Sequence, residues 1–213
     1  MEQTKHTGVA GLATLCLVLL ALMAAWLLKD AGLLSRVPPG ADGTPDVAEG
    51  EALGLYQAAF TGWAALLLLI PTYIGFWFRN VSAVARSVWL AFWTFGAIAY
   101  LIHLAFSMFG FFGGDFAWMT SSTRVSAFWP GMIIAVWWPL DALLAHARDE
   151  TARWIRVQRI VLHVIVLILF VGGSLGTGEL MTVRVLGLIL LITALGSLVR
   201  WVITRGSRRA SEG

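Results

Sequence analysis

The chain has 213 residues, 59% of them hydrophobic and only 13% charged, with 15 Lys and Arg against 12 Asp and Glu for a net charge of +3. Its mean hydropathy is +0.81. Soluble domains carry about 25% charged residues, so a water-soluble globular fold is excluded and the bilayer is the solvent. The single cysteine, Cys16, excludes an intrachain disulfide and any CxxC zinc or redox motif.

A helix rises ~1.5 Å per residue and the hydrocarbon is ~30 Å thick, so a span needs about 20 apolar residues. The apolar runs here are long and continuous, whereas a β-barrel would show short alternating segments. The expected fold is all-α: one transmembrane domain over residues 1–213, a bundle of six transmembrane helices.

The first span is placed at 8–28. It is longer than a signal-peptide core, and its leading Lys5 is offset by Glu2, so it reads as a retained helix. Residues 31–51 hold Pro38, Pro39, Gly40, Gly43 and Pro45, which break regular structure. With Asp42, Asp46, Glu49 and Glu51 they read as an acidic external loop, lacking the ligand spacing of a calcium site. The second span is 52–78, with a kink expected at Pro71 and an interfacial anchor at Tyr73, Trp77 and Arg79. The third, 88–112, contains one strongly ionisable side chain, His103. A polar loop, Gly113 to Arg124, leads to the fourth span, 125–147, interrupted by Pro130 and Pro139. The stretch Arg148 to Arg159 is the most charged in the chain, and the fifth span, 154–171, begins within it. A glycine-rich turn, Gly172 to Glu179, precedes the sixth span, 180–203, and residues 204–213 form a basic tail.

An even number of spans puts both termini on one side. Eleven of the 15 basic residues fall on that side, and the positive-inside rule makes it the cytoplasm. The expected location is therefore the cell (inner) membrane, multi-pass, with both termini cytoplasmic. The basic excess has this topological explanation, and no nucleic-acid partner is expected.

Ionisable side chains deep in a membrane face protein and mark candidate sites. His103 lies ~14 Å below the outer surface, with Phe95, Tyr100 and Phe106 around it at near-helical spacing. It is read as a neutral histidine bonded to a neighbouring helix, as a cofactor or ligand contact, or as a proton relay. Arg156, Arg159 and His163 share one helix face by their spacing of three and four. Asp141, on the fourth span, is expected to pair with Arg159 or His163, because an unpaired buried carboxylate is costly. Asp141, Arg159 and His163 thus form a candidate polar intramembrane cluster. His103 and His163 are the candidate cofactor-binding residues, for haem b or a quinone. Their expected depths differ by ~2 to 10 Å, so a shared haem is permitted without being favoured. A metal at Asp141 and His163 would lack a third ligand, and none is assigned. Trp93, Trp137 and Trp138 lie deeper than the other tryptophans, as ordinary packing or as walls of a site for a flat apolar ligand.

The chain contains no Walker A, GxSxG or HExxH sequence and no lysine inside a span, and no catalytic residue is assigned. The expected function is a small membrane subunit or accessory protein of a larger, redox-type membrane complex. Its partners would be lipid and other membrane subunits. The alternatives are a small-molecule carrier with a polar path through Gln57, His103, Asp141, Arg159 and His163, and a membrane enzyme or haem/quinone-binding protein using His103, His163 and Asp141.

Overall fold

The computed structural model describes residues 2–35, 52–125, 127–147, 152–177 and 180–211. The acidic residues of the 31–51 loop and the triplet Arg148, Asp149 and Glu150 lie outside the described residues, as do the side chains of Arg208 and Arg209. The chain folds as an all-α polytopic membrane protein. Its helices are α1 (Glu2–Leu28), α2 (Ala52–Phe76), α3 (Ala83–Ala105), α4 (Phe116–Ser121), α5 (Phe128–Ala147), α6 (Arg153–Gly172) and α7 (Met181–Ser211). All but α4 belong to the six segments long and apolar enough to cross a bilayer.

α2 and α3 form an antiparallel hairpin at the centre. Gly75 meets the backbone of Ala85 and Trp89 near the hairpin's junction, Gly62 meets the His103 ring, and Gly54 meets Gly110 at the far end. α5 runs antiparallel to α3, with Trp138 against Gly96 and Tyr100 against Gly131. α6 joins α5 through polar contacts described below. α7 covers α2, bringing Trp201 to within 5.6 Å of Trp77. α1 packs on α2 and α3. The two ends of the bundle are thus distinct: one carries the α2–α3 turn, the start of α6 and the end of α7; the other carries α4 and the end of α6.

Several local details differ from the sequence expectation for physical reasons. α3 begins at Ala83, where the Ser82 hydroxyl accepts a hydrogen bond from the Ala85 N–H and caps the helix five residues before Val88. Pro130 does not interrupt the fourth span. It sits in the first turn of α5, where its missing N–H leaves no helical bond unmade. The polar loop after α3 contains α4, capped by the Asp115 carboxylate on the Trp118 N–H at 2.9 Å. The expected turn at Gly172 is a continuation of α6 into a π-helical segment, Gly173–Thr177. A second π-helical segment, Phe106–Phe111, extends α3. Ser107 and Ser174 each donate to the carbonyl four residues back, of His103 and Phe170. Such internal bonding is favoured where no water is present to satisfy the backbone. Tyr73 and Arg79 are not an interfacial anchor: both are buried, the Tyr73 hydroxyl donating to the His163 carbonyl at 2.6 Å.

Candidate functional site

One face of α3 organises the interior. Trp89, Trp93, Gly96, Tyr100, His103 and Ser107 recur at alternating intervals of four and three residues, and so line one stripe of the helix. Phe95 lies off this stripe, against Gly11 of α1. Tyr100 is the aromatic neighbour of His103, at 6.0 Å between ring centroids.

At the level of Trp93 the stripe meets a buried polar network. Asp141 is 2% exposed and Arg159 is 1% exposed. The Arg159 Nε donates to Asp141 Oδ1 at 3.1 Å, the Gln158 side chain donates to the same oxygen at 2.6 Å, and the Trp93 indole donates to Oδ2 at 2.9 Å. Trp137 donates to the Gln158 carbonyl oxygen at 2.8 Å. One carboxylate therefore ties α3, α5 and α6 together, with charge-assisted donors on both of its oxygens.

His163 is built into the same layer. Its Nε2 accepts from the Trp89 indole at 3.0 Å. An indole only donates, so Nδ1 carries the proton and donates to the Arg159 carbonyl at 2.8 Å. The ring lies between Phe76 and Trp93, stacked on them at 3.8 and 3.7 Å. Both nitrogens and both faces are occupied by protein. Trp89 is thus a buried partner of His163, not a member of an interfacial belt.

The stack continues in both directions. The Arg79 guanidinium sits 3.9 Å above Phe76. Beyond Trp93 the rings of Trp138, Tyr100 and His103 follow at centroid spacings of 4.6, 5.7 and 6.0 Å. Trp138 donates to the Trp93 carbonyl and Tyr100 to the Gly131 carbonyl, which locks both rings in the column.

The column ends at a cavity of about 660 Å³ in the opposite half of the bundle, lined by residues of α2, α3, α5, α6 and both π-helical segments. Its walls are apolar, with Trp63, Phe111, Phe128 and Phe170 and the flexible side chains of Met108, Met119 and Met132. Tyr100, His103, Ser107, Arg124 and Ser174 are its polar lining. The His103 Nδ1 is 2.7 Å from the Ala58 carbonyl. A carbonyl only accepts, so the proton is on Nδ1 and the bare Nε2 is an acceptor with no partner among the described residues. Arg124, in the same lining, donates to the Ser35 carbonyl at 2.6 Å. Two π-helical segments bordering one cavity is a notable coincidence, because such segments are rare and concentrate at functional sites.

Asp141, Arg159 and His163 are brought together. His103 is not brought to them: it stands ten positions beyond Trp93 on α3, a rise of ~15 Å. That exceeds the ~2 to 10 Å expected from sequence, because the expectation placed His163 from an uncertain span edge. A single haem between the two histidines is not spanned. The Gln57 side chain lies beside Gly110, and the deep tryptophans 93, 137 and 138 pack the interior and are not among the lining residues of the cavity. Sequence reasoning missed Gln158, Trp89 and Trp93 as network members. The four–three spacing of the α3 stripe was the available signal. Among the described residues no three His, Cys, Asp or Glu side chains converge to hold a metal ion. No family model matches the chain, and neither a curated protein nor a solved structure matches it.

Proposed function

We propose that this chain is an intramembrane binding protein for a lipid-soluble ligand with an apolar body and a hydroxyl head, of hydroquinone type. It has no catalytic centre of its own and serves as a membrane subunit of a larger redox-type assembly. The observation that carries this reading is that His103 lines an apolar cavity of about 660 Å³ while its Nδ1 is committed to the Ala58 carbonyl, which leaves Nε2 as the ring's acceptor in a space within the ~300–1,000 Å³ of ligand sites built from apolar walls and a few placed polar groups. An acceptor at that point favours a ligand that donates. A hydroquinone O–H fits, whereas the carbonyl of the oxidised quinone offers no proton. The methionines let the walls adapt to a flexible body.

The same reading places the protein in the cell (inner) membrane with both termini in the cytoplasm, supported by the bias of basic residues. The cavity then belongs to the outer half of the bundle. The long apolar faces of α1 and α7, exposed at Leu12, Trp26, Ile192 and Val199, suit packing against lipid and partner helices. A continuous polar path for a carrier is disfavoured, because the buried rings of Trp93, Trp138 and Tyr100 fill the space between His103 and Asp141.

Titration of a short-chain hydroquinone onto the purified protein, read by intrinsic tryptophan fluorescence, tests the reading. His103→Leu should weaken binding about tenfold, the value of one buried hydrogen bond. His103→Gln, which keeps an acceptor, should lose less. The oxidised quinone should bind more weakly than the hydroquinone and respond less to either substitution. Equal binding of hydroquinone by wild type and His103→Leu would refute the assignment. Mild-detergent purification checks the assembly, where the expected result is a stoichiometric membrane partner.

A further inference from the structure

The His103 cavity has an open side. Four of the residues that line it are exposed on the bundle surface: Pro130 of α5, and Ile168, Gly172 and Gly173 where α6 passes into its π-helical segment. The residues that line it from α2 and α3 are buried or half-buried. A residue that lines a cavity and also lies on the outer surface stands at a rim. The cavity therefore meets the surface between α5 and α6.

The way these two helices are joined leaves room there. Side-chain bonds of Trp137 and Asp141 to Gln158 and Arg159 tie them together in the other half of the bundle. At the rim, a Cβ added to Gly172 or Gly173 would meet nothing within 4 Å. Glycines in succession weaken a helix relative to alanine. At Gly54 and Gly75 the gain is a close backbone approach; at Gly172 and Gly173 no such approach exists, and what their small size leaves is an opening. Its side chains are apolar, and it lies within the spans. From Ile168 to Gly176, where that span ends, the rise is about 12 Å. Pro130 stands two residues after Phe128, where the facing span begins. The opening thus faces one leaflet of the bilayer.

We infer that the gap between α5 and α6 is a lateral portal, and that the ligand of the His103 cavity is a long-chain hydroquinone whose tail leaves through it into lipid. The inference rests on the hydroquinone reading of that cavity and adds the tail and the route. Entry from the leaflet spares an apolar tail any exposure to water. The tail stays in the medium it came from, so the ring alone must be desolvated on binding.

The experiment uses the full chain in phosphatidylcholine nanodiscs, kept reduced under argon, with two probes: benzohydroquinone, and the same ring carrying a decyl chain. Affinities are taken as ratios of variant to wild type, which cancels the partition of each probe into lipid. The double variant Gly172→Phe, Gly173→Phe fills the opening. It should weaken binding of the decyl probe about tenfold or more, and leave the chainless ring within about twofold of wild type. Gly176→Phe adds the same bulk at an exposed residue that does not line the cavity and has nothing within 4 Å of an added Cβ. It should match wild type with both probes. Wild-type protein is also photolabelled with a decyl probe bearing a diazirine midway along its chain, with and without excess unlabelled probe. The displaceable label should fall on the rim segments, Trp129 to Ile133 or Ile168 to Leu175. A double variant that binds the decyl probe as wild type does, or that loses both probes equally, overturns the portal while the hydroquinone reading stands. So does displaceable label confined to α2 or α3, or absent, in a protein that binds the probe. Should the double variant not fold, the wild-type label decides alone. If neither probe binds wild type saturably, the hydroquinone reading falls and this inference falls with it.

Discussion

Asp141→Ala should destabilise the protein by about 3–5 kcal/mol, the usual cost of removing one partner from a buried, hydrogen-bonded ion pair. The substitution removes the acceptor for Arg159 Nε, Gln158 and Trp93 together. It leaves a guanidinium that is 1% exposed without its carboxylate. Moving Arg159 to water is not a simple escape, since its Cζ also stands 5.1 Å from the Trp89 ring, within the layer that holds His163. The loss should appear as a fall in thermal midpoint of roughly 6–20 °C, taking ~2–4 °C per kcal/mol for a chain of this size. Asp141→Asn, which keeps one oxygen as acceptor, should fall between. The double variant Asp141→Leu, Arg159→Met should recover much of the loss, because replacing both members by apolar groups removes the desolvation cost along with the attraction. A single variant within about 1 kcal/mol of wild type would mean that the pair does not hold α5 to α6, and the network would lose its structural role.

The sequence disclosed the class and much of this network, and for a stated reason. Lipid makes every buried charge conspicuous, so Asp141 and Arg159 stood out against apolar surroundings and their pairing followed from cost alone. Their uncharged partners did not stand out. Gln158 reads as one more polar residue beside Arg156 and Arg159 at the start of α6, and an indole N–H looks the same in a packing tryptophan as in one that bonds a carboxylate. Trp89 illustrates the point. It stands one residue inside the apolar run that begins at Val88, where a tryptophan ordinarily belongs to an interfacial belt, but α3 starts at Ala83 and the residue falls inside the bundle. Span edges drawn from apolar runs are blind to caps such as Ser82, and every depth estimate inherits the error. That is why the apolar runs alone place His103 and His163 closer in depth than the structure does. The π-helical segments were hidden for another reason. Glycine-rich stretches such as Gly172 to Gly176 read as turns in water, and the same stretches stay helical in a bundle where backbone groups have no solvent to bond.

A packed column of rings runs along the bundle to the His103 cavity. Phe76, His163, Trp93, Trp138 and Tyr100 stack in turn towards the His103 cavity, and four of these five rings donate or accept a hydrogen bond within the bundle. Close-packed interiors transmit displacement rather than absorb it. A change at either end that moves α3 along its axis must therefore move the stripe that carries both Trp89 and His103. The point where such movement is least tolerated is the contact of α2 with the end of α3.

Gly54→Ala should expose that contact, and its sign is the informative part. A Cβ added at Gly54 would stand 1.9 Å from the Gly110 carbonyl oxygen and 2.8 Å from the Phe111 nitrogen. Both are backbone atoms, so no rotamer relieves the overlap. α2 and the π-helical segment Phe106–Phe111 must part by about an ångström or more, at a cost of the order of the ~1–3 kcal/mol or more seen for overpacked cores. Helix propensity acts the other way, since alanine in a helix is favoured over glycine by ~0.5–1 kcal/mol. A net loss of stability in thermal or denaturant unfolding would therefore report the close approach and nothing else. Gly196→Ala, at a helical site on α7 where an added Cβ meets nothing within 4 Å, supplies the contrast and should leave stability unchanged or slightly raised. The separation at Gly54 also spreads the wall of the His103 cavity, because Leu55, Ala58, Ser107, Met108 and Phe111 line it from these two segments. Hydroquinone affinity should consequently fall in Gly54→Ala and not in Gly196→Ala. Should Gly54→Ala prove as stable as Gly196→Ala, α2 and the end of α3 do not meet as closely as the structure has them, and the cavity they enclose has a different shape.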